Sequence, residues 1–248
     1  MNDLEKTRQI FEQANFPSVC KVCSARLHGI CGALKAPELT ELGRYTKQRP
    51  IRKGEVITFD QDDVIEYANI VSGVVKLSKI LADGRQQIVG IQFAPEFVGR
   101  PFSDSAKITV EAATDLEICV FPKASLESML DKVPEFERRL FEQTLEQLDA
   151  AREWMVTLGR KTAAEKVASF LFLLTEHIAE PTGDGRSVAF DLPLTRSDMA
   201  DFLGLTVETV SRQMTKLRKS RVIEIEAGHH IVVPRLSALK AASETDSD

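Results

Sequence analysis

Four cysteines offer the most chemistry in this chain, and three of them crowd together near its start as Cys20-x2-Cys23-x7-Cys31. The fourth, Cys119, stands in the apolar run Ile118-Cys-Val-Phe121. Thiolates bind soft metals, exchange with disulfides or oxidise, and compartment and spacing decide which. The opening residues, MNDLEKTRQIFEQANF, carry early acids and no apolar stretch. The expectation is therefore no export and a place in the reducing cytoplasm. There, clustered thiols point to a metal before a disulfide. Structural zinc usually draws its ligands as two close pairs, and here only Cys20 and Cys23 make one. A [4Fe–4S] cubane takes four thiolates; the loop supplies three, with Gly29 and Gly32 to let it curl. Zinc, or a thiol–disulfide switch at Cys20 and Cys23, stays open beside it. Taken alone, Cys119 reads as a core cysteine. His28 lies in the loop but is not needed as a ligand.

The second chemistry is recognition of a polyanion. A formal charge of −5 excludes a protein coated in basic residues. Yet residues 206–221 hold Arg212, Lys216, Arg218, Lys219 and Arg221 against one acid, Glu208, and it is the local field that attracts phosphate. This segment closes the run LPLTRSDMADFLGLTVETVSRQMTKLRK, residues 192–219. Thr195 can cap a short helix bearing Met199, Ala200 and Leu203. Gly204 supplies a sharp turn, and Thr206 caps a second helix with Val210 and Met214 or Leu217 facing inward. Ala200 permits close helix approach, and Leu205 can plug the angle. Glu208, Ser211, Arg212, Thr215 and Lys219 share the wet face.

In a major groove the first turns of such a helix read bases. Arg212 can donate twice to guanine, Glu208 can accept from cytosine, and Ser211 can touch a base edge or a thymine methyl. Thr195, Arg196, Ser197, Thr206, Thr209 and Lys216 are placed for phosphates, which position without specifying. VIEIEAGHHIVV then alternates around Gly228 as a two-stranded wing, with His229 and His230 in a solvated turn.

The rest of the chain must position these two sites. Its 248 residues, 43% hydrophobic and 28% charged, suit one large domain or two ordinary ones. No apolar run approaches the ~18 residues of a membrane helix. From about residue 51 to 121, runs such as VITF, ANIVSGVVKLSKI, QQIVGIQF and LEICVF are punctuated by Gly54, Gly73, Gly84, Gly90 and Gly99, which predicts a sandwich or rolled barrel. Asp83-Gly84 marks a hairpin.

Residues 134–160 predict one long helix with Pro134 in its first turn. Phe141, Thr144, Leu148, Ala151, Met155, Leu158 and Thr162 recur at alternating three and four residues, a seam for a parallel partner helix. Packing on the chain's own β region is the alternative. A further helix from residue 163 to about 178 turns Val167, Phe170, Leu171 and Leu174 to one face. A helical stretch around Leu4, Ile10 and Phe11 opens the chain, and residues 243–248 read as disordered. No dinucleotide glycine motif, H-E-x-x-H or nucleophile elbow is found, so an enzyme is not expected.

With β-roll, long helix and winged helix-turn-helix in that order, the sequence resembles the CRP/FNR family of bacterial transcription regulators over essentially its whole length. The fold this implies is α+β: an amino-terminal β-roll (a jelly roll of cyclic-nucleotide-binding type), a long dimerisation helix and a carboxy-terminal winged helix-turn-helix. The implied boundaries are a cysteine-bearing segment at 1–36, a sensor β-roll at 37–130, the dimerisation helix at 131–161, the DNA-binding domain at 162–236 and a flexible tail at 237–248. Val207-Glu208-Thr209-Val210-Ser211-Arg212 is similar to the FNR and FixK branch, whereas the cyclic-AMP receptor branch has an arginine directly before that glutamate.

The resemblance implies the palindrome TTGAT-N4-ATCAA on double-stranded DNA, which two reading helices about 34 Å apart would fit. Cyclic-nucleotide receptors of the family hold ribose with Gly-Glu and phosphate with Arg-Ser or Arg-Thr. Here Gly99 precedes Arg100, and residues 101–114 hold no such arginine pair. Without them, charge-assisted bonds worth roughly 1.5–3 kcal/mol each are lost, so a cyclic nucleotide is not expected.

The resemblance also promotes Cys119, which with Cys20, Cys23 and Cys31 would complete the ligands of a [4Fe–4S] cluster and staple the amino-terminal segment to the β-roll. The seven residues between Cys23 and Cys31 exceed the enteric FNR spacing and are similar to FnrN-like members of rhizobia. The implied function is oxygen-responsive transcription control. Without oxygen the cluster favours a homodimer that binds the palindrome and recruits RNA polymerase, Asp83-Gly84-Arg85 being similar to a polymerase-contacting loop. Oxygen converts the cluster toward [2Fe–2S], the dimer weakens and DNA is released. No membrane partner is implied. The alternative keeps the DNA reader and senses through zinc or a thiol–disulfide pair; for haem, no ligand can be assigned.

Overall fold

Strands β3 (Glu66–Ser72) and β8 (Leu116–Pro122) are apolar nearly throughout, and the fold explains it: both of their faces are covered. Ala68, Ile70, Ile118 and Val120 point one way, onto Val75, Val110 and Ala112 of an opposing sheet. The alternating residues Tyr67, Val71, Cys119 and Phe121 point the other way, among Ile30, Leu39, Leu42, Leu126 and Phe136. A strand buried on both sides loses the apolar–polar alternation of a half-exposed one.

The computed structural model describes Cys20, Cys23, residues 26–182 and residues 187–244. The helix expected around Leu4, Ile10 and Phe11 lies outside the described residues. The chain divides into two compact units, Met1–Ser78 with Ile91–Leu148 and Lys79–Gly90 with Asp149–Asp248.

The β region runs β1 (Lys47–Ile51), β2 (Val56–Thr58), β3, β4 (Val74–Ile80), β5 (Gln86–Phe93), β6 (Phe97–Val98), β7 (Thr109–Ala112) and β8. It forms two four-stranded sheets, ordered β1-β8-β3-β6 and β2-β7-β4-β5, the expected β-roll. β1 sits at an edge, which lets Pro50 belong to a strand without breaking a ladder. Gly73 turns β3 into β4 at φ +92°, where an added Cβ would meet the Asp115 carbonyl oxygen at 2.5 Å. Asp83-Gly84 does make the β4–β5 turn: Gly84 has φ +85°, and the Leu81 amide donates to the Arg85 carbonyl at 2.8 Å.

Helices α1 (Ala36–Gly43) and α2 (Lys123–Lys132) flank the β8 face that carries Cys119, and α3 (Pro134–Arg160) follows. Pro134 stands in the first turn of α3 with Glu135 and Glu137, where the exposed amides of a helix start favour negative charge. Phe136 is fully buried in the cluster that holds Cys20 and Cys119. The expected seam is uncovered in the single chain: Phe141 is 61% and Met155 69% exposed, and Thr144, Leu148 and Ala151 are exposed too. Leu158 is half-buried. Thr162 is corrected: it stands beyond α3 and caps α4 (Ala163–His177), its hydroxyl accepting from the Glu165 amide.

In the second unit α4 buries Val167, Phe170, Leu171 and Leu174, the expected face. Phe170 meets Phe202 at 5.8 Å between ring centroids, and Trp154 meets Phe202 at 4.5 Å. After α4 come β9 (Glu180–Pro181), β10 (Val188–Asp191), α5 (Arg196–Leu203), α6 (Val207–Lys219), β11 (Glu224–Glu226), β12 (His230–Val233) and α7 (Leu236–Glu244). The wing is larger than its sequence suggests: β11 and β12 extend into a four-stranded sheet, β11-β12-β10-β9.

The tail expected at 237–248 is also corrected. Residues 236–244 form α7, with Leu239 fully buried and Ser243 buried. Leu239 and Ser243 fall one turn apart, with Ala238 and Ala242 half-buried beside them, so one short buried stripe docks a segment of good helix formers. Among the described residues no helix is long and apolar enough to cross a membrane.

Candidate functional site

Cys119 lies mid-strand in β8, opposite Gln48 of β1 and Asn69 of β3. Strand alternation sends its side chain to the face it shares with Phe121, away from the core between the sheets. Over that face lie α1 and the segment before it. Cys20, Cys23, Cys31 and Cys119 all line one small pocket there, completed by Arg26, Leu39, Leu42, Thr46, Asn69 and Phe121. The structure thus brings together all four thiols singled out in the sequence, from stretches about ninety residues apart.

Local backbone bonds shape the loop: the Arg26 amide donates to the Cys23 carbonyl at 3.3 Å, and the Leu34 amide to the Cys31 carbonyl at 3.1 Å. Cys31 sits in the 3-10 turn Ile30–Ala33. Gly32 cannot be replaced freely, because a Cβ there would stand 2.7 Å from the Leu27 carbonyl oxygen. His28 is exposed, outside the pocket, and contributes its carbonyl instead, accepting from the Arg139 guanidinium of α3 at 2.8 Å.

All four cysteines are free, Cys20 and Cys119 buried and Cys23 and Cys31 half-buried. Burial raises the Cys20 thiol, with Cys23 adding and Arg26 opposing. Burial also raises Cys31 well above the usual thiol range, with Cys119, Cys20 and Cys23 adding to it. Cys119 is pushed up to about 12 by burial and by Cys23 and Cys20. Raised in this way, the Cys20, Cys31 and Cys119 thiols stay protonated unless a cation compensates their charge, and a soft metal does that. The four cysteines line one small pocket, and four thiolates are a donor set that suits either zinc or a [4Fe–4S] group.

The helix-turn-helix is built as its sequence indicates. Thr195 and Asp198 cap α5 reciprocally, each accepting from the other's amide at 3.1 Å. Gly204 ends α5 in the left-handed region at φ 62°, and Thr206 caps α6 through the Thr209 amide at 3.2 Å. Val210, Met214 and Leu217 are all buried, and Gln213 with them. Glu208, Ser211, Arg212 and Lys219 are exposed on the other face and Thr215 is half-buried. The Glu208 carboxyl is held below its usual range by its own backbone amide and the Thr206 hydroxyl, so it stays an acceptor.

The phosphate candidates divide. Ser197 and Lys216 are exposed, and the Thr206 and Thr209 hydroxyls lie 3.1 Å apart at the start of α6. The Thr195 hydroxyl is engaged by Asp198 at 2.6 Å, and the half-buried Arg196 guanidinium packs on the Met199 sulfur at 3.3 Å. Those two serve α5 first. His230 pairs with Asp191 at 2.7 Å, and His229 contacts the Ala227 carbonyl. Asp83 and Arg85 form an exposed ion pair of 2.8 Å across Gly84 at the β4–β5 turn.

The β-roll also holds a cavity of about 430 Å³ bordered by Arg49, Asp62, Glu66, Gly99 and Arg100. Arg49 is paired with Glu66 at 2.9 Å. Sequence reasoning passed over Asn69 and Arg26 in the thiol pocket. The available signal for Asn69 was an amide inside the apolar strand YANIVS, a residue type depleted in strands.

Comparison with known proteins places these features. Residues 165–242 match the Crp-like helix-turn-helix domain, and residues 48–133 the cyclic nucleotide-binding domain. A Rhizobium leguminosarum bv. viciae protein named "Probable transcriptional activator" is 52% identical over 96% of this chain and 98% of its own. The transcriptional activator protein FnrL of Cereibacter sphaeroides is 40% identical over 92% of this chain and 93% of its own. The structure of FixK2 from Bradyrhizobium japonicum superposes with a TM-score of 0.73 at 29% identity, covering 82% of this chain and 99% of that one.

Proposed function

The chain belongs to the CRP/FNR family of transcription regulators, as a transcriptional activator of the FNR/FixK type, and from this premise we propose that it is an oxygen-responsive one that senses through its four cysteines. Its relatives are transcription regulators and not enzymes; regulators of this family bind DNA and typically act as dimers. The observation that carries the proposal is the single pocket lined by Cys20, Cys23, Cys31 and Cys119. A [4Fe–4S] cluster bound there supplies an oxygen-labile centre whose charge offsets that of four thiolates.

The residues around the pocket connect it to the dimer helix. Phe136 and Leu140 of α3 pack in the cluster that contains Cys20 and Cys119. Arg139 of α3 holds the cysteine loop by the His28 carbonyl. When all four thiolates are engaged, the loop is tied to β8 and its contacts hold the start of α3. When they are released, those contacts slacken and the pairing of two α3 seams weakens. A bias of a few kcal/mol is enough, since about 1.4 kcal/mol is tenfold in an equilibrium. The paired chains present two α6 helices to a TTGAT-N4-ATCAA palindrome, and the exposed Asp83–Arg85 turn is offered to RNA polymerase. The cavity behind Gly99 is not read as a cyclic-nucleotide site, because Arg49 is committed to Glu66 and the Arg-Ser or Arg-Thr clamp is missing.

Purification without oxygen tests this reading. The chain should carry about four irons and a broad absorption near 400 nm that bleaches as air is admitted. Zinc alone, or a colour indifferent to air, would overturn it in favour of a zinc or thiol sensor. The DNA half has its own test. Arg212→Ala should lose discrimination at the guanine of each half-site by about 1–3 kcal/mol while binding to random DNA changes little. Equal loss on every sequence in a binding titration would make Arg212 a phosphate contact instead.

A further inference from the structure

Asn69 is a buried amide in the middle of an otherwise apolar strand. It is 2% exposed, and its Oδ1 has no hydrogen-bond partner. It stands in the middle of β3, where an asparagine is unfavourable for the strand and an unsatisfied buried polar group is costly. The register sets it directly opposite Cys119 on β8 and opposite Phe97 on β6. Its alternating neighbours Tyr67 and Val71 face the cysteine side of the sheet, so Asn69 shares that face, and it lines the pocket of the four thiols. Opposite residues on one face of an antiparallel pair have Cβ atoms about 4.5–5.5 Å apart, within reach of an amide and a sulfur. An amide presents donors at one end and an acceptor at the other, whereas thiolates and sulfides only accept. A pocket lined with sulfur therefore offers acceptors to the Asn69 N–H groups, and it is this end of the amide, not Oδ1, that sulfur can engage.

We infer that Asn69 is a positioning residue for the iron–sulfur group, donating a side-chain N–H to sulfur beside Cys119 and thereby setting how readily the group is oxidised. This rests on the iron–sulfur reading above. Hydrogen bonds to cluster sulfurs shift the reduction potential, because they stabilise the more electron-rich state. Removing the donor makes oxidation easier, so oxygen destroys the cluster faster. Partners just outside the ligand sphere commonly change metal affinity or activity by 10–100-fold.

The test compares Asn69→Val with Asn69→Thr, two β-branched side chains of nearly equal shape of which only the second donates. Asn69→Leu serves as a second donor-free form. Each full-length protein is loaded anaerobically, then followed by iron content, by the Fe–S stretching frequencies in resonance Raman spectra, and by the rate of bleaching in air. Asn69→Val and Asn69→Leu should retain iron, show shifted Fe–S frequencies and bleach on the order of tenfold faster. Asn69→Thr should stay near the unsubstituted protein. Donor-free forms with unchanged frequencies and bleaching rates, beside a loaded unsubstituted protein, overturn the role of Asn69 and leave the cluster reading standing. An unsubstituted protein without iron overturns both. Should neither donor-free form show a thermal unfolding transition even without iron, Asn69 is a structural residue and the inference falls.

Discussion

Anaerobically prepared Cys119→Ala protein is expected to hold almost no iron and to bind operator DNA on the order of 10²-fold more weakly than the unsubstituted chain, the upper range of coupling between two sites. The reasoning turns on what Cys119 is for. As a core residue only, it would behave as a small hydrophobe in β8 beside Phe121, and alanine would cost about 1 kcal/mol of stability and leave iron content untouched. As a ligand, it is the one thiolate that comes from the β-roll, while Cys20, Cys23 and Cys31 come from the loop above it. Its loss then removes the tie between loop and strand, and the loop no longer holds Phe136 and Arg139 of α3 in place. Iron analysis and a DNA titration on one preparation distinguish the outcomes. Full iron with weakened DNA binding would detach the cluster from the switch, and no iron with full DNA binding would do the same from the other side. Melting temperature guards against a trivial result: a drop of only a few degrees shows that the β-roll has survived.

The contrast between Cys119 and Asn69 shows what a sequence discloses and what it conceals. The helix-turn-helix could be read locally, since Thr195, Gly204 and Thr206 act within their own turns and need no distant partner. The Asp83-Gly84 turn and the extent of α3 were legible for the same reason: their signals lie inside the element they define. The thiol pocket is assembled across strands. That Asn69 faces Cys119 is a matter of register between β3 and β8, about fifty residues apart in the chain, and nothing in either strand announces it. The same holds for β1, whose Lys-Gln-Arg-Pro-Ile has no strand-like pattern and is a strand because β8 offers it an edge. α7 was concealed for a simpler reason, the weight of the charged last residues over the Leu236 and Leu239 that precede them. The Arg196 guanidinium lies on Met199 in the free chain, a contact its sequence does not announce, because its long side chain follows the surface of its own helix.

Met155→Asp is expected to give a folded monomer that keeps its iron and loses at least 10³-fold in operator affinity, on the order of what giving up one of two half-sites implies. Along α3, Phe141, Leu148 and Met155 recur every seven residues, and Thr144, Ala151 and Leu158 recur between them. Large residues at one position, with the smaller Thr144 and Ala151 between them, let two parallel helices pair in register along the seam. Met155 is 69% exposed in the single chain, so a carboxylate there meets water in the monomer and leaves its folding intact. In a twofold pair it faces its own copy: two like charges would be stripped of water together, with no partner to compensate them. A dimer at nanomolar affinity draws about 12 kcal/mol from the DNA, and a monomer on one half-site keeps roughly half of that. Light scattering reads the mass and a titration reads the affinity. Met155→Leu, which keeps the apolar seam, should remain dimeric and active. If the Met155→Asp protein still runs as a dimer and holds the palindrome at full strength, the exposed stripe of α3 is not the pairing surface, and the link from the cysteines through Phe136 and Arg139 must end elsewhere.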